Sequence, residues 1–236
     1  MPQEHIVKSY DEDLNILNQH IFQMGKSVEN LLVDAVTSLT TNNVDLANEV
    51  ILRDKKIDKM QHEIDQQATK MLALRQPMAA DLRAIIAAIR ISNDLERMGD
   101  YAKNISKRAK TLSQSPFLRA PSRSIGRLSQ LVEEMISETM EVYLVRDAER
   151  AKAVILRDED VDELHTAQFR EILTYMMEDT RNISALTHYL FITKNIERIG
   201  DHATNIAEQI YYVATGKQLE DIHSNFDGSS ALLSDI

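Results

Sequence analysis

Apolar residues fall at positions 14, 17, 21, 24, 28, 31 and 35, alternately three and four apart. That is the stripe an α-helix lays along one face, and it does not suit a strand, whose side chains alternate with period two. Thr41-Asn42-Asn43 ends the stripe in a turn, and Asp45 is placed to cap the next helix. That second helix carries Val50, Ile57, Ile64 and Met71 at heptad spacing. It stops at Arg75-Gln76-Pro77, because proline disfavours helix in the residue before it. A third helix is predicted from about 78 to 112, with Ala84, Ala88, Ile91, Leu95, Met98, Ala102, Ile105, Ala109 and Leu112 on one stripe. Ser113 to Pro121 holds two prolines and reads as a linker. Ile125, Leu128, Val132, Met135 and Val142 then restart the pattern. A fifth helix is predicted over about 148–177 and a sixth over about 181–215, closed by Gly216. The Ser-, Asn- and Gly-rich segment beyond it predicts a frayed tail.

Helices of ~30 residues are ~45 Å long, and short connections make sequential neighbours antiparallel. The expected fold is therefore all-α: two tandem three-helix bundles, over 1–115 and 122–216, with a flexible tail at 217–236. Long helices with narrow seams bury little surface each, so the two bundles are expected to pack along their length.

An internal repeat supports this division. Ala47, Val50, Ile51-Leu52-Arg53-Asp54 and Asp58 return 104 residues later as Ala151, Val154, Ile155-Leu156-Arg157-Asp158 and Asp162. Glu96-Arg97-Met98-Gly99-Asp100 returns 101 residues later as Glu197-Arg198-Ile199-Gly200-Asp201, followed in both copies by Ala, Asn and Ile. Chance similarity between amphipathic helices repeats apolar positions, but not this polar pattern twice at equivalent places.

The repeat keeps four acidic pairs that core packing does not require: Asp54/Asp58, Glu96/Asp100, Asp158/Asp162 and Glu197/Asp201. Spacing of i,i+4 puts both carboxylates of a pair on one helix face, at a cost of roughly 0.2–0.5 kcal/mol for the like charges. With Leu95 and Met98 on the seam, Glu96 and Asp100 point away from it, and the other pairs read as outer-face carboxylates too. For a single pair, a solvated acidic face is the commoner explanation. Four preserved pairs on neighbouring helices instead point to two oxygen-rich clusters suited to iron, manganese, magnesium, calcium or zinc. Arg97 and Arg198 lie three residues before Asp100 and Asp201 and are not so placed for the Glu of each pair. Asn104 and Asn205 are positioned to add an amide oxygen. His202, where the first half has Tyr101, is positioned to add a nitrogen to the second cluster. Gly99 and Gly200 imply close approach of a neighbouring element, since each costs about 1 kcal/mol of helix propensity relative to Ala. Lys103, Lys107, Arg108 and Lys110 form a basic run that either docks an acidic partner or complements a helix C-terminus, the second being the simpler reading.

Composition then removes whole classes of function. Only 6 Gly and 4 Pro leave too few turns for a many-stranded β fold. No cysteine means no disulfide, thiolate metal site or Cys nucleophile. A net charge of -10 argues against general affinity for nucleic acid or anionic lipid. The first residues hold no apolar secretory core, and runs such as that at 84–89 fall far short of the ~18 apolar residues that span a bilayer. A soluble, cytoplasmic protein is expected. There is no phosphate-cradling Gly-rich loop and no G-x-S-x-G nucleophile elbow, and Glu-x-x-His occurs only at Glu220/His223. No catalytic constellation is apparent.

The doubled segments N-D-L-E-R-M-G-D-Y-A-K-N-I (93–105) and N-I-E-R-I-G-D-H-A-T-N-I-A-E (195–208) resemble the hallmark of the PhoU family, as do R-Q-P-M-A-A-D-L-R (75–83) and T-Y-M-M-E-D (174–179). The resemblance covers about residues 10 to 215. It implies two similar three-helix bundles packed in parallel, with surface metal clusters held by E(D)-x-x-x-D motifs. Those match Asp54/Asp58 and Glu96/Asp100 in one half and Asp158/Asp162 and Glu197/Asp201 in the other. It further implies a homodimeric negative regulator of the phosphate-starvation response and of phosphate transport. Such a regulator would link the ATPase subunit of the phosphate ABC transporter to a sensor histidine kinase, and so act on transcription. Two other classes compete with this metal-binding adaptor: a metal-dependent oxidase or hydrolase, and a purely structural helical scaffold. The missing general base counts against the enzyme.

Overall fold

The computed structural model describes residues 2–75, 77–114 and 119–218. Among these every regular element is helical: α1 (Pro2–Thr40), α2 (Val44–Arg75), α3 (Ala80–Leu112), α4 (Arg119–Val145), α5 (Ala148–Leu156), α6 (Asp158–Glu178) and α7 (Ile183–Thr215), with one 3-10 turn at Thr180–Asn182. The predicted stripes are the buried faces. Leu17, Ile21, Met24, Val28, Leu31 and Ala35 of α1 close onto Val50, Ile57, Ile64 and Met71 of α2 and onto the α3 stripe. At roughly 1.5–3 kcal/mol for each fully buried large aliphatic side chain, the four seam residues of α2 hold it to its neighbours. Residues 115–118 of the expected linker and the tail from 219 onward lie outside the described residues. On the far side of the linker, helix resumes at Arg119, with Pro121 in the first turn, where its missing N–H is not needed.

Two local expectations need correction. Asp45 is not the cap of α2: the Asn43 side chain accepts from the Leu46 N–H at 3.0 Å, and Asp45 lies inside the first turn. The predicted fifth helix is two helices, α5 and α6, meeting at Arg157. The Arg157 guanidinium is drawn onto Glu134 (2.9 Å) and Glu138 (3.1 Å) of α4. The next residues, Asp158, Glu159 and Asp160, are more stable at a helix N-terminus than in a helix interior. The expected Gly216 cap is present: its φ of 74° is left-handed, and its N–H closes α7 on the Tyr212 carbonyl at 2.8 Å.

The bundles pack through equivalent helices, α1 on α4 and α3 on α7, leaving α2 and the α5–α6 pair on the outer flanks. Arg90 donates to Gln209 at 3.2 Å, and the Arg108 guanidinium sits 4.1 Å above the Phe191 ring. Arg90 and Phe191 are repeat equivalents, as are Arg108 and Gln209, so one contact recurs from either half. That reciprocity is a pseudo-twofold relation and makes α3 and α7 antiparallel. It places the two acidic segments on opposite flanks, each beside a central helix of its own half.

Candidate metal centres

In the first half, Asp54 comes from α2, and Glu96 and Asp100 come from α3. The Lys103 ammonium lies between the helices, donating to Asp54 at 2.5 Å and to Asp100 at 2.5 Å. Burial acts against the lysine's charge, but these two hydrogen bonds outweigh it and hold the ammonium protonated well above its usual range. Asp54 is raised above the ordinary carboxylate value, chiefly by burial, with Lys103 opposing. Glu96 is also raised, first by burial and then by the charge of Asp100. Asp58 points to solvent. Arg97 turns to Glu96 at 3.8 Å rather than to Asp100, contrary to its i,i+3 spacing.

The second half is built differently. Glu197 and Asp201 come from α7, Asp158 opens α6, and Asp162 is exposed. The residue equivalent to Lys103 is Thr204, whose hydroxyl donates to Asp158 at 3.1 Å. Lys194 pairs with Glu197 along the same helix. The other oxygen, Glu197 Oε2, is buried without a hydrogen-bond partner. Arg198 lies 3.8 Å from Asp201. Burial, followed by repulsion from Glu197 and Asp158, pushes the Asp201 carboxyl up to about 6.

These carboxylates are not all on the outer face. Asp54 is 2% exposed and Glu197 7% exposed. A heptad on one helix marks one seam, whereas α7 is covered by α3, α4, α5 and α6 together. In the first half the close approach is at Gly99, where an added Cβ would sit 3.4 Å from Asp54 Oδ1 and 3.2 Å from Ile57 Cγ2. Gly200 plays the same part against Val161 at 3.3 Å, as the cost of a mid-helix glycine implied.

His202 does not face the second cluster. It bonds Asp94 at 2.8 Å and lies beside its repeat equivalent Tyr101, ring centroids 5.7 Å apart, on the contact between the bundles. The histidine that sequence reasoning missed is His165 of α6, half-buried beside Glu197 and Asp162. Burial lowers its pKa, favouring the neutral imidazole that a metal requires, while Glu197 opposes this. Its signal was present, since His165 follows Asp162 by three residues. Asn104 is half-buried and Asn205 is exposed. The basic run does not form one patch: Lys103 joins the acids, Arg108 stacks on Phe191, and Lys110 donates to Asn48 at 3.0 Å.

Among the described residues no three acidic or histidine side chains converge on a common point at ligand distances. The donor chemistry nevertheless fits a hard cation in the second half: three carboxylates, a hydroxyl and a nearby imidazole, including one buried carboxylate oxygen with no donor. Without a cation these acids repel one another, and Asp201 carries that cost. Its folded pKa of about 6 exceeds the ordinary 3.8, so metal-free stability falls as pH rises between those values. Asp201→Asn is expected to stabilise the chelator-treated protein by about 1 kcal/mol above pH 6, allowing for screening of a side chain one-third exposed. The gain should vanish near pH 4, which urea unfolding at the two pH values will read. A gain independent of pH would point to something other than the carboxylate charge.

A PhoU domain model matches residues 21–109 and 125–210, one copy in each half. The chain is 47% identical over 216 residues to a phosphate-specific transport system accessory protein PhoU homolog of Caulobacter vibrioides, covering 92% of this chain and 94% of that protein. It is 44% identical over 232 residues to the homolog of the same name from Rhizobium meliloti, covering 98% of each. Among solved structures, PhoU from Pseudomonas aeruginosa superposes with a TM-score of 0.85 at 35% identity, covering 88% of this chain and 100% of that one. The phosphate transport system regulatory protein PhoU from Streptococcus pneumoniae gives a TM-score of 0.83 at 28% identity, covering 89% and 99%. Two tandem copies of the domain, in the arrangement of solved relatives, establish that the chain belongs to the PhoU family.

Proposed function

We propose that this chain is a cytoplasmic, non-enzymatic adaptor that represses the phosphate-starvation response and restrains phosphate uptake. It acts between the ATPase subunit of a phosphate ABC transporter and a sensor histidine kinase, as a homodimer. The observation that carries the reading is the extent of the similarity: 44% identity across 98% of both chains to a protein named as a phosphate-specific transport system accessory protein PhoU homolog. Among the described residues no helix is long and apolar enough to cross a membrane, in keeping with an adaptor that meets its membrane partners from one side.

Metal binding belongs to the same reading. Asp158, Glu197 and Asp201, with Asp162 and His165 beside them, would hold a divalent or trivalent ion in the second half. Asp54, Asp58, Glu96 and Asp100 form the corresponding acid set in the first. A bound ion would supply the positive charge through which an acidic protein of net charge -10 could meet a phosphate anion. The residues themselves orient and screen: Thr204 fixes Asp158, and Lys194 steadies one Glu197 oxygen.

Deleting the gene is expected to leave the phosphate-starvation genes switched on in phosphate-rich medium, and wild-type protein supplied in trans should restore repression. Normal repression in a strain lacking every copy of the gene would reject the role.

A further inference from the structure

The two halves share their acids but not their cations. In the first, the Lys103 ammonium bridges α2 and α3, bonded at 2.5 Å to each of two carboxylates contributed by different helices. In the second, the equivalent residue is the neutral Thr204, and Lys194, the one lysine paired with these acids among the described residues, binds Glu197 within α7 from a side chain 45% exposed. Resting on the reading of these clusters as cation sites, we propose that Lys103 is the resident cation of the first cluster, so that the second half takes a metal ion and the first does not until Lys103 is removed.

Two features make the ammonium a fixture rather than a passing surface ion. Its side chain is only 22% exposed, and its Asp54 partner is 3% exposed, so the pair is sheltered from competing water and salt. Two charge-assisted hydrogen bonds to two helices lock its position. Asp54 Oδ1 is buried without a donor just as Glu197 Oε2 is, so the halves differ by the bridging ammonium and not by an orphaned oxygen. A divalent ion entering this site would have to expel a like-charged group from between its own ligands.

Among the described residues no ammonium bridges two helices at the second cluster, where Arg198 stands 3.8 Å from Asp201 on the same helix. Thr204 occupies the position of Lys103 with an oxygen, which hard cations accept, and leaves the charges of Asp158 and Asp201 facing one another. Glu197 is 7% exposed, with Oε2 buried and unpaired beside them. Lys194 leans in from solvent on one oxygen only and can swing out on its flexible stem. One residue, lysine against threonine at the same place in the repeat, therefore decides which half takes up metal.

The test is metal stoichiometry in the full-length chain, stripped with chelator, reloaded with Mn2+ and desalted, with Mn2+ titrated calorimetrically in parallel. Wild-type protein should lose all bound Mn2+ on Glu197→Gln/Asp201→Asn and none on Glu96→Gln/Asp100→Asn. Lys103→Thr should roughly double bound Mn2+ by opening a second site, and the increase should disappear when Glu96→Gln/Asp100→Asn is added. Because Lys103→Thr removes the partner of a buried carboxylate before metal is added, the reverse variant Thr204→Lys is decisive by itself: it should abolish Mn2+ uptake. Retention of Mn2+ by Thr204→Lys, or equal losses from the two acid double variants, would overturn the division between halves and leave metal binding intact. No Mn2+ on any variant would overturn the metal reading as well.

Discussion

Lys103→Met is expected to destabilise the metal-free protein by about 3 kcal/mol, the lower end of what removing one partner of a buried ion pair costs. Asp54, with its side chain 3% exposed, would keep its charge or take up a proton at comparable expense, and Asp100 would lose its hydrogen bond in the same step. The companion variant Lys103→Met/Asp54→Asn should recover most of the loss, because no uncompensated buried charge remains. Urea unfolding at pH 7 in chelator reads both. A loss below ~0.5 kcal/mol would place the pair with ordinary surface salt bridges and undo the account of Lys103 as a built-in cation.

The second large effect is stabilisation by metal. An ion that binds only the folded chain, at a hundred times its dissociation constant, adds about 2.7 kcal/mol. In a chain of 236 residues that corresponds to roughly 5–10 °C in the melting midpoint. Mn2+ should therefore raise the midpoint of the wild-type protein, and chelator should reverse the rise. Glu197→Gln/Asp201→Asn should abolish the response while melting no lower than the metal-free wild type, since repulsion at Asp201 has been relieved. An unchanged Mn2+ response in that variant would place the stabilising ion elsewhere.

The fold was largely legible because heptad seams and a duplicated polar motif are both local signals. The misread details each depended on comparing the halves or on a third helix. Asn42 and Arg146 both take a positive φ, and Asn43 and Asp147 both cap the following helix, so the 104-residue repeat already pointed to Asn43 rather than Asp45. The break at Arg157 was visible as three consecutive acids where the first half has Asp54-Lys55-Lys56.

The acid pairs themselves were readable, but their burial was not. A heptad drawn on one helix does not register that α7 is covered by four others. His202 fell on the contact between bundles for the same reason: the α3–α7 crossing that pairs it with Asp94 joins residues 108 apart in sequence. Lys103 was read as a complement to a helix C-terminus, although it follows Asp100 by three residues and its repeat equivalent is a threonine. Comparing the cations of the repeat as closely as its acids would have shown the asymmetry.

The central claim is that the acids of the second half hold a metal ion in a family of phosphate-transport regulators. Anomalous scattering from crystals of the full chain, grown without chelator and soaked in excess Mn2+, tests it most directly. The account predicts a manganese peak bounded by Asp158, Glu197 and Asp201, with Lys103 still seated between Asp54 and Asp100. Saturating Mn2+ with no peak among those three carboxylates would contradict it.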